Sequence, residues 1–170
     1  LWDNLSKKIT QQECSSIFEL EIDLLPVLFE MKTKGVRVDV EKAHQTKKDL
    51  TKIEKSLVQE IVKETGVTIE PWVATSVAKV FDAVGLPYSR TEKAGAPMFT
   101  KQFLTNCSHP IAQKIVKIRE INKANTTFVD TILEHSHNGR IHCDFHSLRS
   151  DGGGTVTGRF SSSNPNLQQI

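Results

Sequence analysis

Apolar residues recur at helical spacing through most of the chain and alternate only near its end. Ile17, Leu20, Leu24, Val27, Leu28 and Met31 fall on one face of a helix over residues 17–31. Gly35 ends that helix, and residues 36–40 (VRVDV) read as a short extended segment. A longer helix is expected over residues 41–64, with Ala43, Leu50, Ile53, Leu57 and Ile61 forming a narrow seam. So thin an apolar stripe predicts a projecting helix that pairs with a single partner. Gly66 stops it. The next helix turns Val73, Val77, Val80, Phe81 and Val84 inward and closes at Gly85-Leu86-Pro87. Residues 89–97 (SRTEKAGAP) read as a polar loop, and Thr100 as the cap of a short helix. A last long helix is expected from His109-Pro110 to about Glu134, through Ile111, Ile115, Ile118, Ile121, Phe128 and Ile132. After it, Asn138-Gly139 predicts a hairpin turn and RIHCDFHSL alternates like a strand.

The predicted fold class is therefore mostly α: a long antiparallel helical arm rooted in the first strands of an α+β body. Residues 1–16 are expected as a linker, 17–39 as a body-side helix and extended segment, 40–133 as the arm, and 134–170 as the first body strand with the polar segment after it. No internal repeat interrupts this plan.

Composition adds limits. The chain has 170 residues, 38% hydrophobic and 25% charged, with no apolar run near the ~20 residues that span a bilayer. Cys14, Cys107 and Cys143 are widely separated, which points to reduced thiols and a cytoplasmic setting rather than a disulfide framework. Net charge is +2, but residues 90–123 carry Arg90, Lys93, Lys101, Lys114, Lys117, Arg119 and Lys123 against Glu92 and Glu120. Such a stretch is a candidate phosphate-binding surface, or a solvated helix face.

Candidate chemistry is sparse. His135, His137, His142, Cys143, Asp144 and His146 crowd together, but a strand would put His142, Asp144 and His146 on one face and Cys143 on the other. No GxSxG elbow and no GK[ST] phosphate loop is present. The final string TGRFSSSNPNLQQI is better suited to feeling a duplex. Arg159 offers a planar fork of donors, and Asn166, Gln168 and Gln169 offer amides that can donate to minor-groove acceptors. Ser161 and Ser162 suit phosphates or local turns. A polar tail is the alternative on composition alone.

TGRFSSSNPNLQQI closely resembles the TGRLSSxxPNLQNIP signature of the family A DNA polymerases, with Phe160 and Gln169 most like phage-type members. LEIDLLPVLFEMKTKGVRVDV, RTEKAGAPMFTKQFL, IREINKANTTFVD and NGRIHCDFH resemble further segments of that family, in order, so the likeness covers residues 17–170. The resemblance implies that the arm is the polymerase thumb and that residues 134–170 open the palm. It implies that Arg159 lies in the minor groove at the primer terminus, with Asn166 and Gln168 along the template side. Arg119 and Lys123, four apart on one helix face, are implied to meet backbone phosphates, and the helix start at Thr100 another. Met98, Phe99, Asn125 and Gln169 depart from the family pattern.

The same resemblance implies primer–template DNA and deoxynucleoside triphosphates as partners, and two Mg2+ ions as cofactors. The aspartates that hold those ions come after the signature in the family and are not among these residues. The chain is therefore expected to be part of a polymerase, inactive by itself, with no membrane and no obligate oligomer. A non-catalytic duplex-binding module and an inert structural fragment are the rival readings.

Overall fold

In a computed structural model of the chain, the described residues are 1–148 and 153–169. Residues 149–152, which open the glycine-rich block before the signature, and Ile170 lie outside them. The elements in chain order are α1 (Trp2–Gln11), α2 (Ser15–Lys34), β1 (Val36–Arg37), α3 (Val40–Thr65), α4 (Ala74–Ala83), β2 (Ser89–Arg90) and β3 (Pro97–Met98). They continue with α5 (Lys101–Asn106), α6 (Pro110–Lys123), a π-helical segment (Ala124–Val129), α7 (Asp130–His135), β4 (Ser136–His137), β5 (Arg140–Ile141), β6 (Asp144–His146) and β7 (Ser161–Ser163). The chain divides into two compact units, residues 1–40 with 131–170, and residues 41–130. Among the described residues no helix is long and apolar enough to cross a membrane.

The second unit is mainly helical and falls within the stretch expected as the arm. Cross-links run antiparallel along α3 and its partner helices. Lys47 pairs with Asp130 at 2.6 Å, Asn125 Nδ2 donates to Thr51 Oγ1, Asn122 Nδ2 donates to Glu54, and Lys114 pairs with Glu60 and Glu64. The core sits toward the C-terminal end of α3, where Ile61, Val77, Val80, Phe81, Leu104, Ile111, Ile115 and Ile118 are sealed from solvent. Their burial supplies most of the unit's stability, at about 1.5–3 kcal/mol per large apolar side chain. The expected seam of α3 is correct at Ile61 but not at Ile53, which is 43% exposed.

Two expectations change here. The loop expected over residues 89–97 closes into a hairpin: its middle, 91–96, is a loop, but its ends pair as β2 and β3, Ser89 with Met98 and Arg90 with Pro97. The long helix is also not uniformly α. Its middle widens into a π-turn, where Asn125 and Val129 are buried while Phe128 and Ile132 are only half-buried. Single π-turns inside α-helices insert extra backbone and shift the inward face. Asn125 is 7% exposed and its Oδ1 accepts no hydrogen bond among the described residues.

In the first unit, β4 and β5 form the hairpin expected at Asn138-Gly139, both residues having positive φ, and β1 adds on the other side to give the order β1-β5-β4. Gly35, also at positive φ, admits no side chain: a Cβ there would lie 2.8 Å from the His142 ring and the Ile141 carbonyl. Residues 1–16, expected as a linker, carry the ten-residue α1, with Trp2 against Phe18. The α2 face is less buried than its periodicity implies. Ile17, Leu20, Val27 and Met31 are about half exposed, and only Leu24 and Leu28 turn partly inward.

Candidate nucleic-acid interface

The strand expected over RIHCDFHSL is broken in two: β5 joins the three-stranded sheet, while β6 pairs antiparallel with β7. This second hairpin presents the signature, with Asp144 opposite Ser163, Phe145 opposite Ser162 and His146 opposite Ser161. Its polar side chains are spent on holding its shape. Lys32 of α2 pairs with Asp144, whose other oxygen accepts from Asn164 Nδ2 at 2.9 Å. The Lys32 hydrogen bond first, and the Asn164 one second, hold the Asp144 carboxyl below the usual carboxylate range. His146 Nε2 meets Ser163 Oγ at 2.8 Å, and Ser161 Oγ accepts from the Gly154 N–H at 3.0 Å.

The signature loop is closed in the same way. Asn166 Oδ1 accepts from the Gln168 N–H at 3.1 Å and from the buried Ser162 hydroxyl at 3.4 Å. Gln168 Nε2 donates to the Phe160 carbonyl at 2.7 Å, and the Asn164–Pro165 bond is cis. Asn166 and Gln168 thus have internal partners, which their amide chemistry alone did not reveal. Arg159 is the contrast. Its carbonyl accepts from Thr155 Oγ1 at 2.7 Å, but its exposed guanidinium has no partner among the described residues. Gln169 is exposed, and its side chain too has none there.

In the arm, Lys101, Arg119 and Lys123 line one small cleft of about 160 Å³ together with Glu120. Arg119 is committed inside it: Nε donates to the Pro71 carbonyl at 2.8 Å and Nη1 to the Phe99 carbonyl at 3.0 Å. Burial pulls its pKa down. Lys101 pairs with Glu120 at 3.0 Å, whereas Lys123 is exposed and has no partner among the described residues. Thr100 caps α5 as expected, its Oγ1 accepting from the Phe103 N–H at 3.1 Å. Arg90 stacks on Tyr88 and donates to the Gly95 carbonyl. Of the seven cations in the expected basic stretch, Arg90, Lys101, Lys114 and Arg119 are engaged within the fold, and Lys93, Lys117 and Lys123 have no partner among the described residues.

A metal does not fit these residues. Among the described residues no three His, Cys, Asp or Glu side chains gather. His142 Nδ1 is taken by the Lys32 carbonyl at 2.8 Å, and Cys143 is buried with its thiol pKa pushed up by that burial. No step is therefore assigned to a metal on this segment.

A family model described as DNA polymerase family A matches residues 40–170. A DNA-directed DNA polymerase of Pseudomonas phage M6 is 31% identical over 96% of this chain and 26% of its own length. A thermostable DNA polymerase I of Thermus filiformis is 33% identical over the whole chain and 20% of its own length. The chain thus spans about a quarter or less of these two relatives. The fold matches the polymerase domain of Pol1 from M. smegmatis, solved in complex with DNA primer-template and dNTP, with a TM-score of 0.74 at 24% identity. That alignment covers 99% of this chain and 30% of the other. On the family match and the two sequence relatives, the chain belongs to DNA polymerase family A.

Proposed function

We propose that this segment grips primer–template DNA within a template-directed DNA polymerase, residues 41–130 serving as the thumb and the β6–β7 hairpin as the start of the palm. The observation that carries the reading is the Arg159 guanidinium, exposed and unpartnered among the described residues on a loop whose neighbours Ser161, Ser162, Asn166 and Gln168 are engaged. A rigid loop presenting one uncommitted fork of donors suits a minor-groove contact that tracks duplex shape without reading sequence. Gln169 is a second direct contact. Asn166, Gln168, Ser161 and Ser162 act by fixing the loop. In the arm, Lys123 meets phosphate, with Arg119 and Thr100 holding the surface that presents it.

The names of the phage and Thermus relatives, and the primer-template and dNTP in the structural neighbour, support this assignment. Nucleotidyl transfer from a dNTP to the primer 3′-hydroxyl, with release of pyrophosphate and with divalent metal ions such as Mg2+, is assigned to carboxylates other than those of this segment. Replacing Arg159 with Ala in the polymerase that carries the segment is expected to slow primer extension about tenfold or more. That figure is the rate equivalent of one lost charge-assisted hydrogen bond in the transition-state complex. Single-turnover extension measures it, and an unchanged rate would remove Arg159 from the site.

A further inference from the structure

The polar run that ends at His146 gathers no metal-ligand set, yet three of its alternate residues share a target. Arg140, His142 and Asp144 all reach the last turn of α2, inside the unit formed by residues 1–40 and 131–170. Arg140 Nη1 donates to the Lys34 and Gly35 carbonyls, both at 3.0 Å. The Lys32 carbonyl can only accept, so His142 Nδ1 carries the hydrogen of the 2.8 Å contact between them. These two side chains satisfy carbonyls that a helix end leaves without partners. Asp144 takes the Lys32 ammonium instead.

Asp144 differs from the other two in facing both ways. Its second oxygen accepts from Asn164 Nδ2 at 2.9 Å, and Asn164 stands at positive φ just after β7. Asparagine tolerates that backbone region better than most side chains, and the carboxylate holds its amide there. Four residues on, Gln168 Nε2 donates to the Phe160 carbonyl, while the adjacent Arg159 carbonyl accepts from Thr155 Oγ1. One carboxylate therefore joins α2, β6 and the turn that opens the loop clasping the backbone at Arg159. Apolar packing does not fix the same angle. Phe145, Phe160 and Leu167 line an open cleft of about 380 Å³ together with Leu24, Leu28 and Met31 of α2. The Lys32 side chain is 52% exposed, so the ion pair adds little to global stability. Its position at the base of the loop gives it leverage on where the loop points.

We propose that Lys32 and Asp144 are positioning residues that aim Arg159, their ion pair setting the β6–β7 hairpin and its loop against α2. The role rests on the Arg159 contact proposed above and names what holds that contact in place.

The test reverses these charges in the polymerase that carries the segment and follows single-turnover primer extension. Lys32→Asp sets two carboxylates against each other and is expected to slow extension about threefold, the rate equivalent of an exposed ion pair. Adding Asp144→Lys rebuilds the pair in reverse, with the new ammonium able to donate to the Asn164 amide oxygen. The rate is then expected to return to within about 1.5-fold of the unaltered enzyme. In an Arg159→Ala background, Lys32→Asp is expected to change the rate by less than about 1.5-fold, because groups that act as one unit are not additive. Thermal melting confirms that each variant is folded. No slowing by Lys32→Asp, or equal slowing with and without Arg159, would overturn the proposal. So would a double reversal no faster than Lys32→Asp alone. An Arg159→Ala enzyme that extends at the unaltered rate would overturn both this role and the reading beneath it.

Discussion

Residues 90–123 and helix α3 differ in net charge, yet each leaves lysines unpaired among the described residues. The first stretch is the most basic in the chain, with seven cations against two acids, yet Arg90, Lys101, Lys114 and Arg119 have partners inside the fold, which leaves Lys93, Lys117 and Lys123 without one among the described residues. Helix α3 is nearly balanced, with six lysines against five acids, yet it presents Lys48, Lys52 and Lys55 without partners among the described residues. Net charge along a sequence counts groups. Availability depends on which of them the packing has already satisfied.

The largest effect expected from this contrast concerns stability. Arg119→Ala removes a half-buried guanidinium and leaves the Pro71 and Phe99 carbonyls without their donor, a loss of about 1.5–3 kcal/mol. Lys52→Ala, on the open face, should change stability by less than about 0.5 kcal/mol. Chemical denaturation of both variants checks the pair, and equal losses would erase the distinction between spent and available cations.

A smaller effect separates them by pH. The Glu64 hydrogen bond first, and the Glu60 contacts after it, raise the Lys114 pKa above the ordinary lysine value against an opposing cost of burial. A raised lysine pKa contributes stability that is full below the unfolded value and is lost as pH rises through the folded one. Wild type and Lys114→Met should therefore differ by a constant margin, about 1 kcal/mol or less for an ion pair with exposed acids, from neutral pH to the lysine range. The margin should shrink only in stronger alkali. Thermal melts of wild type and Lys114→Met across pH check this, and a margin that is lost below the lysine range would contradict it.

Much of this was legible in the sequence. The α3 helix, the Thr100 cap, the Asn138-Gly139 turn and the Val77, Val80 and Phe81 face come from periodicity and local backbone chemistry, which need no distant partner. The β2–β3 hairpin was not legible, because two paired residues per strand are too few to show alternation. The π-turn was hidden because the inward residue at its start is Asn125, a polar side chain that an apolar count skips. In the site, the order of the signature was plain, but the division between Arg159, which is presented, and Asn166 and Gln168, which are fastened, was not. Their partners are backbone atoms such as the Phe160 carbonyl, which every sequence carries and none advertises. The lysine face of α3 was concealed by the acids interleaved with it, which only pairing across to α6 takes out of play.

The most direct measurement is a head-to-head salt titration of duplex binding by two charge-matched variants. One neutralises Lys48, Lys52 and Lys55; the other neutralises Arg90, Lys101 and Lys114. The first variant is expected to lose about 2–3 from the slope of log affinity against log salt and the second less than about 1, although both remove three positive charges. Equal losses, or a larger loss from the second variant, would contradict it.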